Sequence, residues 1–352
     1  MKFFHLQVKE VVQETADAIT IHFWHPLNEV IKYKAGQFIT IIAPIDGKKV
    51  RRSYSMSSSP TADTAIAVTV KRVTGGLVSN WLNDNVKAGD FLEIIEPMGN
   101  FYIEPDFNKQ RHIVLFAAGS GVTPLMAIAK TILKSEPNSK VSLLYGNRNE
   151  ASIIFKKAIV DLESQFRNRF EVVHILSNPT ETWVGGFGRI NQAQTVYYTK
   201  QLGINYDFAE FYLCGPSGMM EEAIKALQMF KVPNNRIHKE SFNAPMMEDS
   251  EADTESADGS LSVQTIKVLY NGDEHVFEVQ PHQTILEAAL ELDIDLPYSC
   301  QAGMCTACLG KCTQGKVKLD EEDGLTEKEI KNGMILTCVA HPLTSNVVIE
   351  ID

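Results

Sequence analysis

The chain has 352 residues, of which 44% are hydrophobic and 22% charged, and its formal net charge at pH 7 is −11. This length predicts two or three domains that each bury a hydrophobic core, and the composition is ordinary for a globular protein. The acidic balance argues against nucleic acid as a partner, and the lack of any stretch of about 20 apolar residues argues against a membrane-spanning helix.

Residues 3–100 consist of short runs in which apolar and polar residues alternate, and turn residues separate these runs. Alternation of this kind predicts antiparallel strands that each bury one face. We therefore expect a small antiparallel β-barrel over residues 1–106, with one short helix between Leu77 and Asn83.

The stretch Arg52-Ser53-Tyr54-Ser55 lies in this barrel and is similar to the R-x-Y-S motif of the ferredoxin–NADP reductase superfamily. The resemblance implies that Arg52 pairs with a flavin pyrophosphate, that Tyr54 packs on the isoalloxazine and that the Ser55 hydroxyl lies near N5. A diphosphate favours a planar bidentate cation, and a flavin ring favours an aromatic face, so these roles are physically reasonable. Taken alone, an Arg and a Tyr on one strand are more often a surface pair.

Gly75 and Gly76 precede the predicted helix, where free N–H groups can receive a phosphate. By the same resemblance, Gly76 and Ser79 contact the pyrophosphate of FAD. The plain alternative for two adjacent glycines is a turn, and this stretch alone leaves both interpretations open.

From residue 107 to residue 242 the pattern changes to alternating strands and helices. The run HIVLFAAGSG is typical of a buried parallel strand that ends in glycines, and Thr123-Pro124 then begins a helix. Further strands are predicted near KVSLLYG, FEVVHIL and AEFYLCG, with helices near Phe155–Phe166 and Ser217–Phe230. This alternation predicts a doubly wound α/β domain that binds a nucleotide.

Gly119 and Gly121 would place bare backbone against a nucleotide at the carboxyl end of the first of these strands. The stretch is not the G-x-G-x-x-G fingerprint, because Pro124 occupies the third glycine position. It is similar to the G-x-G-x-T-P turn of the same superfamily, which implies that Thr123 lies beside the nicotinamide.

Cys214, Gly215 and Pro216 look like the late C-G-P signature of the superfamily, which implies that Cys214 sits at the C4 face of the nicotinamide. A buried strand cysteine is the alternative for this residue taken singly. The superfamily also places an acid and an aromatic near the flavin, and Glu240 and Phe242 are the candidates. Together with Ser55, Cys214 and Glu240 are the residues expected around the reacting atoms.

The end of the second strand of this domain bears on the choice of nucleotide. NAD sites usually carry an acid there for the ribose 2′-hydroxyl, whereas an arginine accommodates the 2′-phosphate of NADP. Arg148 favours NADPH, and Glu150 two residues later keeps NADH open. Arg148 could also be a solvated loop charge.

Residues 243–260 contain six acidic residues and no basic one. This composition predicts a flexible, self-repelling linker. It would serve either as a mobile tether for a carrier domain or as a passive spacer.

Residues 261–352 predict a strand, a hairpin turn at Asn271-Gly272, a second strand and a helix across Thr284–Glu291. This order is similar to the β-grasp sheet of plant-type ferredoxins. The segment carries 15 acidic against 6 basic residues. Such a surface would steer the domain towards a basic protein, although a solvated acidic face explains it equally well.

Four cysteines in this segment have the spacing of iron ligands. Cys300, Cys305 and Cys308 follow a C-x4-C-x2-C pattern, and 29 residues separate Cys308 from Cys338. This is the plant-type [2Fe–2S] pattern, whereas zinc ribbons usually pair two C-x2-C units. We predict these four thiolates as cluster ligands and Cys312 as a buried strand cysteine.

The order of barrel, nucleotide domain and C-terminal ferredoxin domain resembles the reductases of multicomponent oxygenases, over nearly the whole chain. The resemblance implies an enzyme that takes hydride from NAD(P)H onto FAD and passes single electrons through the [2Fe–2S] cluster to a di-iron oxygenase component. Because hydride transfer needs no general acid or base, we predict no catalytic triad.

Two alternatives remain open on the sequence. One is a reductase for another hydroxylase, a ferredoxin or a haem protein, and the other is a redox-sensing electron carrier without useful turnover. The first ten residues lack the apolar run of a secretory signal, and cysteines with cluster spacing suit a reducing compartment. We therefore expect a cytoplasmic protein.

Overall fold

The computed structural model describes residues 2–26, 31–242, 262–322 and 324–351. The chain divides into two compact units, Met1–Phe242 and Asn243–Asp352. The predicted linker at residues 243–260 lies outside the described residues. None of the described helices is both long enough and apolar enough to span a bilayer.

The first sheet is the predicted antiparallel barrel. Its strands are β1 Phe3–Thr15, β2 Ala18–Phe23, β3 Phe38–Ile45, β4 Lys48–Ser55, β5 Ile66–Lys71 and β6 Phe91–Met98, in the spatial order β4-β3-β6-β1-β2-β5. The predicted short helix is α1, Leu77–Asn85, which buries Val78 and Leu82 against the strands. Isoleucine, valine and phenylalanine side chains fill the barrel interior. Strands β2, β3 and β5 are buried along nearly their whole length, and so on both faces, because helix α1 and the nucleotide-domain fold cover parts of the barrel.

The second sheet is parallel throughout, which confirms the predicted doubly wound domain. Its strands are β7 His112–Ala118, β8 Lys140–Asn147, β9 Phe170–Leu176, β10 Gly186–Phe187, β11 Glu210–Cys214 and β12 Ile237–Glu240, in the order β10-β9-β8-β7-β11-β12. The helices are α2 Val122–Ser135, α3 Lys156–Gln165, α4 Gln192–Gln201 and α5 Ser217–Met229. The sequence did not predict α4, because its residues QAQTVYYTKQ are mostly polar and form no broad apolar stripe.

One hydrophobic core joins the barrel to the parallel sheet. Ala18, Ala35 and Phe101 from the barrel side pack in the same core as residues of β7 and α2. Hydrogen bonds at the same boundary link the Ser59 and Thr131 hydroxyls at 2.7 Å. The barrel therefore packs directly against the nucleotide-domain fold through this shared core, and each of the two also has a core of its own.

A buried ion network closes the amino-terminal edge of the parallel sheet. The guanidinium of Arg111 contacts Glu136 at 2.7 Å and Glu210 at 3.0 Å. Burial alone would raise the pKa of Glu136, but hydrogen bonds from Arg111 and Ser139 outweigh it and lower that pKa. The resulting stabilisation is therefore present at neutral pH and lost as the pH falls through the lowered pKa. Since nucleotides bind at carboxyl ends of such strands, this edge serves stability.

The second unit is the predicted β-grasp fold. Its elements are β13 Gln264–Tyr270, β14 Asp273–Val279, α6 Ile285–Glu291, β15 Leu309–Gln314, β16 Val317–Leu319, α7 Glu327–Lys331, β17 Met334–Leu336, β18 Ala340–Pro342 and β19 Val348–Ile351. The main sheet has the order β14-β13-β19-β15-β17, and β16 pairs with β18. Asn271 and Gly272 both have positive φ, 53° and 87°, as a type I′ hairpin requires. Thr284 caps α6 by a reciprocal bond with Glu287.

Candidate functional site

The last residues of β4 carry the first predicted group of site residues. Alternation places Arg52 and Tyr54 on the same face of this strand, which lies at the edge of its sheet beside β3. Burial raises the pKa of the Tyr54 phenol, so the ring remains neutral. Ser55 ends the strand with 7% of its surface exposed. Arg52 and Tyr54 thus present a cation and an aromatic ring side by side.

The turn before α1 fits closely around Gly76. A Cβ on Gly76 would lie 2.6 Å from the Ser79 hydroxyl oxygen and 2.9 Å from the Val73 Cβ. The Val73 N–H donates to this hydroxyl at 3.2 Å, which leaves the hydroxyl proton free to bind another group. Gly76 itself is the N-cap of α1 and provides no side-chain cap. The first turn of α1 therefore has N–H groups that can receive a phosphate.

Lys71 lies at the end of β5, beside the glycine turn that follows β7. It was not among the predicted site residues. Its ammonium is 3.5 Å from Asp17 and 3.9 Å from the position that a Cβ on Gly119 would occupy. No sequence motif marks a lysine at the end of a strand as a site residue. Only the packing of β5 against the turn that follows β7 brings this charge to the site.

The glycine turn after β7 lies against the end of β11. Residues Gly119–Gly121 form a single 3₁₀ turn, and α2 begins at Val122. A Cβ on Gly121 would lie 2.1 Å from the carbonyl oxygen of Cys214 and 2.5 Å from its carbonyl carbon. The Thr123 hydroxyl donates to the Ser120 carbonyl at 2.7 Å, and the Tyr145 hydroxyl donates to the Gly119 carbonyl at 3.1 Å. The turn is therefore held in place by side chains from two elements.

The end of β11 brings together further predicted residues. A Cβ on Gly215 would lie 3.1 Å from the Ala118 N atom, so the carboxyl ends of β7 and β11 adjoin. No side chain caps helix α5, which follows Pro216, whereas α2 continues directly from the 3₁₀ turn and its Val122 N–H donates to the carbonyls of Gly119 and Ser120. The bare glycine backbone after β7 and the start of α5 after β11 thus lie at neighbouring strand ends and form a cradle suited to a pyrophosphate.

Cys214 and Glu240 are direct neighbours across β11 and β12. Burial, and then the charge of Glu240, raise the pKa of the Cys214 thiol well above its usual value. The thiol is neutral and fully buried, so it is not a nucleophile here. Glu240 is nearly buried, whereas Phe242 is 44% exposed. The structure thus places Cys214 against the glycine turn, with Glu240 as its neighbour on β12.

The four predicted cluster ligands converge in the second unit. The Cys308 and Cys338 sulfurs are 3.3 Å apart, and the Ala302 N–H donates to the Cys300 sulfur at 3.4 Å. Hydrogen bonds from the thiols of Cys305 and Cys338 lower the pKa of Cys300 to about 3. No three His, Cys, Asp or Glu side chains of the described ranges surround a single ion position. The four thiols instead form one connected group, in which Cys300 contacts Cys305 and Cys338 and Cys338 contacts Cys308, and four converging thiolates suit a two-iron cluster.

The loop that carries these thiols is packed tightly on its outer side. A Cβ on Gly324 would lie 2.3 Å from the Gly303 carbonyl oxygen, and Gly303 has a φ of +68°. The sulfur of Cys312, by contrast, is 3.3 Å from the Gln314 carbonyl oxygen. Cys312 lies on β15 as predicted, but it is half-buried, because its side chain is only partly covered by the core of this unit.

Comparisons with known proteins agree with this arrangement. Residues 4–103 match the family described as oxidoreductase FAD-binding domain, residues 115–225 the oxidoreductase NAD-binding domain, and residues 268–343 the 2Fe-2S iron-sulfur cluster binding domain. A 1,2-phenylacetyl-CoA epoxidase component from Escherichia coli is 36% identical over 100% of this chain and 99% of its own. The ferredoxin reductase component of 3-ketosteroid-9-alpha-monooxygenase from Rhodococcus rhodochrous is also 36% identical, over 98% of this chain and 96% of its own.

Among solved structures, phthalate dioxygenase reductase superposes with a TM-score of 0.65 over 99% of this chain and 98% of its own. Its sequence identity to this chain is 21%. At that identity the likeness concerns the fold, including the order of the three domains along the chain.

Proposed function

Since the chain belongs to the reductase components of multicomponent oxygenases, we propose that its electron acceptor is the oxygenase of a phenylacetyl-CoA epoxidase. The chain is an oxidoreductase with FAD-binding, NAD-binding and [2Fe–2S] domains that delivers electrons to an oxygenase component. The observation that supports the epoxidase is the 36% identity to the Escherichia coli epoxidase component over the full length of both proteins.

When bound, the nicotinamide, FAD and the [2Fe–2S] cluster supply the redox chemistry, by which the two electrons of the nicotinamide are passed on one at a time. The protein's part is to hold these groups in position. Cys300, Cys305, Cys308 and Cys338 would hold the cluster, and the N–H of Ala302 would offset charge on the Cys300 sulfur. The four converging thiols are the feature that makes single-electron delivery chemically reasonable.

For the flavin, Arg52 would bind the pyrophosphate, with Gly76 and Ser79 in contact with it at the start of α1. Tyr54 would pack on the ring, and its raised pKa means that it brings no negative charge to the reduced flavin. Ser55 would lie near N5. The support is the shared face of Arg52 and Tyr54 on β4 and the uncapped start of α1.

For the nucleotide, the cradle at the ends of β7 and β11 would bind the pyrophosphate. Gly119 and Gly121 would contact it after β7, and Gly215 and Pro216 after β11. Thr123 and Cys214 would border the nicotinamide. Lys71 adds a cation beside Gly119 that can offset phosphate charge. Glu240 would act on the reacting ring only through Cys214, because the two residues are strand neighbours.

The acceptor is testable with purified oxygenase components. We expect NADPH oxidation by this chain to drive product formation by the catalytic components of a phenylacetyl-CoA epoxidase at least about tenfold faster than by a 3-ketosteroid monooxygenase oxygenase, because docking surfaces discriminate between partners. Product formed per NADPH consumed is the measurement. Equal rates with both oxygenases would contradict the epoxidase assignment, and no steady reduction of cytochrome c would contradict a reductase altogether.

NADPH is the proposed nucleotide, and Arg148 is the residue that would bind its 2′-phosphate. Arg148 follows the last residue of β8 and is exposed. We expect Arg148→Ala to lower kcat/KM for NADPH by about 10- to 100-fold through KM, with little change for NADH, because only NADPH carries the extra phosphate. Arg167→Ala, at another exposed arginine after α3, is the control. Equal use of NADPH and NADH by the unaltered protein would overturn the assignment.

A further inference from the structure

The loops that follow β8 and β9 run side by side beyond the sheet edge. The Ser177 N–H donates to the Asn147 carbonyl at 3.0 Å, and the Asn178 N–H donates to the Arg148 carbonyl at 2.7 Å. The parallel ladder of the two strands therefore continues for two more hydrogen bonds. These bonds fix the backbone of Arg148 relative to the loop at residues 177–183.

The next contact between the two loops is made by a side chain. The Thr180 hydroxyl donates to the Glu150 carboxylate at 2.5 Å, and the Thr180 N–H donates to the two carboxylate oxygens at 3.1 and 3.3 Å. Two donors from a single residue thus converge on one carboxylate. The Thr180 hydroxyl, followed by the N–H of Glu150, lowers the pKa of that carboxyl, so Glu150 is an anion at neutral pH.

The backbone of Glu150 is fixed as well. Asn149 and Ser152 form reciprocal hydrogen bonds of 3.1 Å around the short turn Glu150–Ser152. With both its backbone and its carboxylate held, Glu150 is turned to the loop after β9. The guanidinium of Arg148 forms no ion pair within the described part of the chain, and it is exposed to solvent.

Glu150 and Arg148 are two residues apart and have opposite effects on a nucleotide. A free carboxylate at this position would pair with the arginine, or repel a 2′-phosphate, and would favour a ribose hydroxyl that can donate to it. Occupying the carboxylate with Thr180 removes this competition. Of the two donors, only the hydroxyl can be removed by substitution, because the N–H of residue 180 is present whatever the side chain.

We propose that Thr180 is a specificity-determining positioning residue, which keeps the Glu150 carboxylate away from Arg148 and thereby sets the preference for NADPH over NADH. The inference rests on the proposed role of Arg148 as the 2′-phosphate ligand. Thr180 itself need not contact the nucleotide. It acts through the position of a neighbouring anion.

Steady-state kinetics of the full-length protein with both nucleotides test this. Thr180→Val, which keeps the shape but removes the hydroxyl, is expected to lower kcat/KM for NADPH by about three- to tenfold through KM and not to lower that for NADH. Thr180→Ser keeps the hydroxyl and should behave as the unaltered protein. Adding Glu150→Gln to Thr180→Val should restore the NADPH value, because the competing charge is then gone.

Thr182→Val is the matched control, since the Thr182 hydroxyl contacts that of Thr180 at 3.2 Å, whereas the donors to Glu150 come from Thr180. An unchanged nucleotide ratio in Thr180→Val, an equal loss with both nucleotides, or no recovery on adding Glu150→Gln would each overturn the proposal. Arg148→Ala distinguishes a failure of the 2′-phosphate assignment from a failure of the role proposed for Thr180. If it leaves the nucleotide ratio unchanged, the 2′-phosphate assignment itself is wrong; if it changes the ratio and Thr180→Val does not, only the role of Thr180 is wrong.

Discussion

Cys338→Ser is expected to prevent assembly of the [2Fe–2S] cluster and to lower the rate of cytochrome c reduction by about a hundredfold, because a serine hydroxyl does not replace a thiolate as an iron ligand. The Cys338 sulfur lies 3.3 Å from that of Cys308, on a segment separate from the loop that supplies the other three thiols. Its loss therefore opens one whole side of the cluster. NADPH-dependent reduction of ferricyanide, which can draw on the flavin, should persist.

The control for this experiment is the same substitution at Cys312, whose sulfur contacts the Gln314 carbonyl and not the other thiols. Cys312→Ser should keep the visible absorbance and the low-temperature paramagnetic signal of the reduced cluster. If Cys338→Ser retained that signal and Cys312→Ser lost it, the ligand set would be wrong. Retention of zinc alone by the unaltered protein, reconstituted with iron and sulfide under anaerobic conditions, would remove the cluster from the scheme.

The second large effect is expected from Gly121→Ala. A Cβ at this position would overlap the carbonyl group of Cys214, at 2.1 Å from the oxygen and 2.5 Å from the carbon. Both atoms belong to the backbone, so the clash is relieved only by moving the start of α2 away from the end of β11. Because a displacement of about 1 Å can cost about a hundredfold in rate, we expect flavin reduction by NADPH to slow by about that factor.

Anaerobic stopped-flow measurement of flavin bleaching reports this step directly. Gly203→Asn is the control, since Gly203 lies in the turn after α4, which contributes no predicted site residue, a Cβ there meets nothing within 4 Å, and asparagine tolerates its positive φ. That variant should reduce its flavin at the normal rate. The FAD content and melting temperature of Gly121→Ala show whether the protein still folds. A normal rate in Gly121→Ala would mean that nucleotide binding does not depend on this close approach.

The features that the sequence predicted well are local or carry a fixed spacing. Cys300, Cys305, Cys308 and Cys338 have the spacing expected of four ligands around two irons, and the structure brings their thiols together. The hairpin at Asn271-Gly272 follows from the positive φ of both residues. Regular alternation likewise predicted the barrel, because a strand that buries one face must alternate.

The features that escaped prediction depend on neighbours that are distant in the chain. Lys71 is unremarkable in sequence, and only the packing of β5 beside Gly119 shows what its charge faces. Thr180 contacts Glu150, which lies 30 positions earlier in the chain, and no local pattern encodes that pairing. The partial exposure of Cys312 depends on how the core of the second unit closes, which composition does not reveal.

The hydrophobic core that spans the barrel and the parallel sheet has a consequence for recombining such proteins. Because Ala18, Ala35, Phe101 and Ile103 share a core with residues of the parallel sheet and its helices, a chimera joined near residue 106 would expose apolar surface on both fragments. A junction between Phe242 and Asn243 would leave the cores of both units whole. A gene fusion should therefore keep Met1–Phe242 together, whereas Asn243–Asp352, which contains the iron–sulfur domain, can be exchanged as one unit.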